Sequence, residues 1–293
     1  MSISVPPLSI GLPVRNGARY LAGALDCLLG QTYSDFDLLV ADNSSTDGTA
    51  DIAQEYARRD SRVSYVRHTE DLGATGNFNY VFDNTRAPLF KWAAADDLHD
   101  PTFLQRCMEV HAADPDVVTV CSAIEYIDEE GRSLRTERDF ASAGSPDPVA
   151  RFNDFVGYDY SCSVNFGVHR REAIADTRKF LPFWGSDRVF LAELALRGRI
   201  VVIPEPLFKE REHGDRVTSR VAGRDVRRFQ RSGKGSKFLT WRHASELVRA
   251  VRAADLDPEQ RRRAYGVLSH WAVRERRKFA RSLARGVVES VRR

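Results

Sequence analysis

Leu-Phe-Lys-Trp-Ala-Ala-Ala-Asp-Asp-Leu-His-Asp-Pro, residues 89–101, runs from an apolar strand straight into paired carboxylates and then into a helix start. Two carboxylates side by side behind a buried strand repel each other and lose solvation unless positive charge sits between them. A divalent cation supplies that charge. Hard oxygen ligands suit Mg²⁺ or Mn²⁺, and the ion can bridge onward to a diphosphate. The plainer alternative makes Asp97 and Asp100 first-turn acids favoured by a helix dipole. Asp100 can cap that helix, and Pro101 suits its first turn.

Outward from this stretch, short apolar segments alternate with amphipathic ones. Strands are predicted at Leu8–Val14, Phe36–Ala41, Arg62–Arg67, Leu89–Ala94 and Val117–Ser122, and helices at Tyr20–Leu29, Thr49–Arg58, Ala74–Phe82 and Thr102–His111. This alternation builds an α/β fold with a mostly parallel sheet covered on both faces. Asp128-Glu129-Glu130-Gly131 is a turn signal, followed by a polar stretch ending at Ser145-Pro146-Asp147-Pro148. A strand near Ser163–His169, a helix near Asp187–Arg197 and a strand near Arg199–Ile203 are predicted beyond it. From about residue 224 the chain is helix-forming and Arg-rich.

The first strand ends in Gly-Leu-Pro-Val-Arg-Asn-Gly (11–17) and the second in Val-Ala-Asp-Asn-Ser-Ser-Thr-Asp-Gly-Thr (40–49). Open α/β sheets bind ligands at the carboxyl ends of their strands, where loops and helix N-termini leave amides unpaired. Both segments are therefore placed to hold a nucleotide, and a carboxylate at Asp42 can accept a hydrogen bond from a base N–H. The alternative is a capped strand-to-helix turn with no ligand.

These fragments in their order, with Leu72-Gly73 and Asn79 between the second strand and Ala94-Ala95-Asp96-Asp97, resemble the inverting family 2 glycosyltransferases. The resemblance covers roughly residues 7–215, most firmly the first 110. It implies a GT-A type fold, a mostly parallel twisted sheet flanked by helices, with a helical C-terminal extension. Residues 1–223 would form the catalytic domain, its nucleotide-sugar half 1–125 and its acceptor-side half 126–223, and 224–293 the extension. Pro13 and Arg15 would line the nucleotide pocket, Asp42 read the base, Asn79 contribute to the donor site, Asp96 bind Mn²⁺ or Mg²⁺, and Asp97 support Asp96 or its loop. Phe183-Trp184-Gly185-Ser186-Asp187 resembles the acceptor-side motif, in which an Asp removes the acceptor hydroxyl's proton; Asp187 is the candidate base, with a plain helix N-cap as the alternative. Phe183 and Trp184 either stack on a sugar or fill the core. Arg211-Glu212-His213 is similar to a segment that closes over the diphosphate, so His213 completes the metal shell or is a surface histidine. The family often has Asp-x-Asp where this chain has Ala94 and Ala95 ahead of Asp96, so the ribose contact of the donor is not legible.

The function expected is transfer of a hexosyl or deoxyhexosyl unit, UDP- or dTDP-linked, to an acceptor hydroxyl, in polysaccharide, glycolipid or other glycoconjugate synthesis. A non-catalytic glycan-binding scaffold on the same fold is the main alternative. A nucleotidyltransferase would need a Gly-rich loop with a lysine near the first strand, and residues 11–17 lack both; no G-x-G-x-x-G supports a dehydrogenase.

Composition sets the outer limits. The 293 residues are 42% hydrophobic and 29% charged, as in globular proteins. Four scattered cysteines form no metal-ligand spacing, which favours a reducing, cytoplasmic setting. No signal-like segment or membrane-length apolar run is present. Residues 224–293 hold 20 Lys and Arg against 7 Asp and Glu, and the net +3 of the whole chain leaves the remainder acidic at −10. With Trp241, Leu247, Val251, Trp271, Phe279 and Leu283 among the arginines, this extension fits either an anionic membrane surface, where a lipid-linked acceptor would wait, or the acidic body itself. No nucleic-acid motif accompanies the charge.

Overall fold

The computed structural model describes residues 5–137, 143–157, 162–214 and 238–291, with side chains to residue 284. Residues 215–218 of the histidine segment and the start of the basic extension, 224–237, lie outside the described residues.

The elements run β1 (Leu8–Val14), α1 (Ala18–Leu29), β2 (Phe36–Asp42), α2 (Thr49–Arg59), β3 (Val63–Arg67), α3 (Gly73–Asp83), β4 (Leu89–Trp92), β5 (Leu98–His99), α4 (Phe103–Ala113), β6 (Val117–Ile127) and β7 (Ser133–Glu137). Then come α5 (Pro148–Gly157), a 3-10 turn (Cys162–Phe166), β8 (Val168–Arg170), α6 (Arg171–Ala175), α7 (Ser186–Arg197), β9 (Arg199–Arg211), α8 (Leu239–Ala253), α9 (Pro258–Arg274) and α10 (Arg276–Val291). Among the described residues these strands form one sheet in the order β3-β2-β1-β4-β8-β6-β9-β5, with β7 on β6. The first four strands are parallel, as are β6 and β9; β5, β7 and β8 pair antiparallel.

Two cores sandwich the sheet. Leu8, Ile10, Leu12 and Val14 of β1 share one face with Leu21 and Leu25 of α1, Ala53 of α2 and Leu104 of α4. On the other face α3, α5, α7 and α8 contribute Val81, Phe152, Phe190 and Leu247 around Phe90 and Trp92. Side chains on a strand alternate faces, so Gly11 falls opposite α3. A β-carbon there would meet Val81 Cγ2 at 2.6 Å, so α3 packs directly on the backbone of β1.

The structure corrects four expectations. The segment Ser163–His169 is a 3-10 turn followed by the short β8, because His169 sits in the core, its Nδ1 paired with Thr119 Oγ1 at 2.9 Å. The polar stretch after Gly131 begins with a strand, β7, and leads into a helix, α5, whose Val149, Phe152 and Phe155 are buried. Asp100 does not cap α4 directly: its Oδ1 takes the amide of Thr102, and the helix begins at Phe103. Finally, β9 runs far past Ile203. Its register with β6 jumps from Ser122↔Ile203 to Ile124↔Phe208, so Pro204 and Pro206, which have no N–H to donate, fall in the irregularity.

The extension docks on the body. Helix α8 packs on α7, and α9 on α5. Leu247, Ala250 and Val251 of α8 and Ala264 and Leu268 of α9 are buried. Arg263 pairs with Asp147 at 2.5 Å, and Glu246 with Arg178. The start of α9 is fixed by a capping box, Asp257 Oδ1 accepting from Gln260 N at 2.8 Å, with Pro258 at its first position. Trp241, Val273 and Leu283 remain exposed. Among the described residues no helix is long and apolar enough to cross a membrane.

Candidate active site

Val14 and Asp42 are register partners, so Pro13, Arg15 and Asp42 stand together at the carboxyl rim of β1 and β2. Just past each strand end a non-glycine residue turns left-handed, Asn16 at φ 52° and Ser44 at φ 58°. Such backbone persists only where its surroundings over-determine it. Here the two loops hold each other: Asn16 N donates to Ser45 Oγ, Gly17 N to Thr49 Oγ1, both at 2.9 Å, Ala18 N to Asp47 Oδ2 at 3.1 Å, and Thr46 N to Asn16 Oδ1 at 2.8 Å. The amides opening α1 are thus taken by side chains.

Asp42 is fully enclosed. Its Oδ1 accepts the amide of Ser45 at 2.8 Å, its Oδ2 accepts Tyr65 Oη at 3.0 Å, and Arg67 Nε lies 3.8 Å away. Burial, then the bond to Asp42, push the Tyr65 hydroxyl up to about 12, so it remains a donor. The more open carboxylate of this rim is Asp71. Its Oδ1 accepts Asn43 Nδ2 at 2.8 Å and Gly73 N at 2.7 Å, and its Oδ2 pairs with Arg15. Sequence reading passed over Asp71, although a carboxylate opening a helix in Asp71-Leu72-Gly73 was a usable signal.

On α3 the two asparagines divide the work differently from the expectation. Asn77 binds the strand ends, its Nδ2 donating to Ala41 O at 2.8 Å and its Oδ1 meeting His68 Nε2 at 2.9 Å. Asn79, two residues on, faces away from that rim. Its Nδ2 donates to Phe180 O at 2.9 Å and its Oδ1 accepts Phe180 N at 3.2 Å.

The paired aspartates separate into two tasks. Asp97 is buried, and its Oδ1 accepts the amide of Arg211 at 2.9 Å, tying the loop after β4 to the end of β9. Asp96 is part-exposed, and its Oδ2 lies 2.9 Å from Nε2 of the buried His213. Arg211 frames both: its Nε donates to Asp96 O at 3.0 Å, its Nη1 to Asp128 O and Glu129 O at 2.9 Å each, and its guanidinium covers the Tyr20 ring at 4.8 Å. Tyr20 in turn lies 5.0 Å from the His213 ring. His99, two residues after Asp97, is packed between Phe103 and Phe208, and burial, with Lys91 adding to it, holds it well below the usual imidazole range.

The Asp96–His213 pair fits a divalent ion. Asp96 Oδ2 and His213 Nε2 are hydrogen-bonded at 2.9 Å, which sets a carboxylate oxygen and an imidazole nitrogen, both ion-ligand types, side by side. His213 Nδ1 is buried without a partner among the described residues and can take the proton that leaves Nε2. No cluster of three or more His, Cys, Asp or Glu side chains that could hold a metal ion occurs among the described residues.

Asp187 lies in the first turn of α7. The N-cap is Gly185, at φ 85° and with no side-chain cap, so the alternative of Asp187 as the helix cap does not apply. Asp187 shares a hydrogen bond with Cys162, whose thiol is raised well above its ordinary range by burial and next by this carboxylate. The adjoining Ser163 bonds Glu210, the residue before Arg211. A short chain of contacts therefore runs from Asp187 through the 3-10 turn to the strand end that frames Asp96. Phe183 is core, 1% exposed, with Arg242 over its ring at 4.7 Å.

With this geometry in place, comparison with known proteins is direct. The model of glycosyl transferase family 2 matches residues 9–174, and the chain belongs to that family. A Nostoc glycosyltransferase is 26% identical over 92% of this chain and 85% of its own length. A Rickettsia typhi glycosyltransferase is 32% identical over 44% of this chain and 40% of its own, and a Rickettsia felis one 31% over 46% and 22%, so the match spans less than half of either rickettsial protein. Among solved structures, TarS of S. aureus in complex with UDP superposes with a TM-score of 0.65 at 14% identity, over 92% of this chain and 71% of TarS. The mannosyltransferase PcManGT of Pyrobaculum calidifontis, in complex with GDP-Man and Mn²⁺, gives 0.57 at 17%, over 99% and 81%. The fold is that of the GT-A glycosyltransferases.

Proposed function

We propose that this chain is an inverting, metal-assisted glycosyltransferase that moves a hexosyl or deoxyhexosyl unit from a nucleoside-diphosphate donor to an acceptor hydroxyl. The observation that carries the proposal is the Asp96–His213 pair, a carboxylate and an imidazole held 2.9 Å apart on the carboxyl rim of the sheet. Asp96 and His213 would hold Mn²⁺ or Mg²⁺, which when bound supplies positive charge to the departing diphosphate. Asp97 and Arg211 keep that pair in place. Asp187 takes the proton of the acceptor hydroxyl as its oxygen attacks the anomeric carbon; the bond to the diphosphate oxygen breaks on the opposite face, giving inversion.

Pro13, Arg15, Asp42 and Asp71 belong to the nucleotide end. Asp42 has lone pairs left but no exposed surface, so a base N–H reaches it only if Tyr65 or Arg67 yields, whereas Asp71 is accessible. A UDP or dTDP donor is favoured, as TarS was solved with UDP and with UDP-GlcNAc. A glycoconjugate acceptor, cytoplasmic location and peripheral contact with an anionic membrane complete the proposal. Exposed Trp241, Val273 and Leu283 beside Arg274, Arg276, Arg277, Lys278 and Arg281 support that contact.

Melting curves with UDP, dTDP, GDP and CDP, each with and without Mn²⁺, test the proposal. A ligand that prefers the folded state at about 100 times its Kd adds about 2.7 kcal/mol and raises the melting point by several degrees. The expected result is the largest rise with UDP or dTDP plus Mn²⁺. Indifference to all four would overturn it, and binding without any UDP release from UDP-sugars would favour a non-catalytic scaffold.

A further inference from the structure

The segment that delivers Asp187, residues 176–185, is held in an unusual way. Left-handed residues bracket its inner part, Lys179 at φ 54° and Gly185 at φ 85°. Between them Phe180, Leu181 and Phe183 are buried. Apolar burial is non-directional and fixes such a loop only loosely along its own path. Two sets of directional contacts, from opposite sides, do the rest.

On the donor side, α3 reaches over with Asn79. Both ends of its amide bond the backbone of one residue, Phe180, in the two-point manner of a strand partner. One turn further along α3, Asp83 takes Lys179 Nζ at 2.5 Å, and Phe78 meets Phe180 edge-on at 5.5 Å. On the far side stands α8, outside the segment matched by the family model. Glu246 pairs with Arg178, Arg242 covers Phe183, and the His243 ring lies 6.3 Å from Phe183 and 5.7 Å from Trp271 of α9. His243 Nδ1 comes within 3.3 Å of where a β-carbon on Gly185 would stand, so ring and loop are in direct contact at the start of α7. Burial pushes His243 down to about 4 against the opposing charge of Asp187, so it packs there as a neutral ring.

We propose that Asn79 and the Arg242–His243–Glu246 face of α8 are positioning elements that clamp residues 178–185 and so set Asp187 against the donor half. Asn79 then serves the acceptor-side base and is not a ligand of the nucleotide. The C-terminal extension is part of the catalytic frame through the same contacts. This inference rests on Asp187 being the base, and it matters because a displacement of about 1 Å at a reacting group costs on the order of 100-fold in rate.

The test compares Asn79→Ala, His243→Ala and Asp187→Asn with the full chain, using UDP with Mn²⁺ for affinity, UDP release from the best-stabilising UDP-sugar for turnover, and amide hydrogen exchange for the loop. For the Asn79 and His243 variants the expected result is exchange in residues 178–187 faster by about tenfold with β1 unchanged, UDP affinity within about twofold, and turnover down by about tenfold or more. In the Asp187→Asn background, Asn79→Ala should lower turnover no further. Loss of UDP affinity with unchanged loop exchange would overturn the proposal and make Asn79 a donor ligand. Exchange rising equally in β1 would overturn it as general destabilisation. If Asn79→Ala does not fold, Asn79→Asp keeps the acceptor for Phe180 N, loses the donor to Phe180 O, and reads the same quantities. Asp187→Asn with undiminished turnover would remove the base assignment alone, because the exchange result still reports whether the clamp exists.

Discussion

The nucleotide end and the acceptor end of the cleft are built from different materials. At the nucleotide end, Ser45, Asp47, Thr49, Asn16 and Asn77 saturate backbone groups of neighbouring loops, and the parallel strands β1 to β4 set the spacing. At the acceptor end an apolar loop is caught between aromatic rings and a helix from the far end of the chain. The first construction joins segments 29 to 36 residues apart through side-chain to backbone bonds; the second joins segments 68 to 101 residues apart. Changes at the acceptor end should therefore alter chemistry and stability while sparing nucleotide binding.

Asp187→Asn gives the largest effect expected from that contrast. Turnover measured as UDP release should fall by about 10²- to 10⁴-fold, the usual contribution of a general base, while UDP affinity stays put. Arg211→Lys sharpens the comparison from the metal side. A lysine cannot reach the carbonyls of Asp96, Asp128 and Glu129 together, so the Mn²⁺ concentration for half-activation should rise by about 10- to 100-fold, the range for supporting groups around a metal.

A smaller effect is expected in stability. Leu247 is 1% exposed where α8 meets α7, and Leu247→Ala should cost about 2–5 kcal/mol in denaturant unfolding. Residues 178–187 should be the first region to lose hydrogen-exchange protection. The smallest concerns Lys91, wholly buried in β4, its Nζ donating to Trp92 O at 3.2 Å and to Phe166 O. Burial depresses it from an ordinary 10.5 to about 8. A base depressed on folding is protonated more readily in the unfolded chain between those values, so its contribution is fully present above 10.5 and is lost as pH falls toward 8. The thiols of part-buried Cys27 and of buried Cys107 and Cys121 are raised by desolvation and run the opposite way. The melting point of the wild type minus that of Lys91→Met isolates the lysine and should climb between pH 8 and 10.5.

The same contrast explains what could be read from the chain alone. Strands β1 to β4 and helices α1 to α4 were legible to within a few residues, because each strand is a short apolar run ending in turn formers. Asp96, Asp97 and Asp187 stood out for their place at strand ends and a helix start. The resemblance singled out Asn79, yet two positions on a helix differ by about 200° in direction, and the packing of α3 shows that Asn77 is the one facing the strand ends. Arg211 was legible as part of a motif, but its three carbonyl partners and its stacking on Tyr20 come from segments far apart in the chain. Helix α5 was hidden for a different reason: its buried Phe152 and Phe155 are interleaved with Arg151, Asn153 and Asp154, and Arg151 and Asp154 are themselves buried, Arg151 donating to Ala195 O and Ser145 O.

The pairing of Asp96 with His213 at the sheet rim is tested most directly by calorimetric titration of UDP into the wild type and into Asp96→Ala, each with and without Mn²⁺. Mn²⁺ should tighten UDP binding to the wild type by at least about tenfold and have no effect on the variant. Equal Mn²⁺ dependence in both proteins would contradict the account, since the ion would then be held somewhere other than this carboxylate.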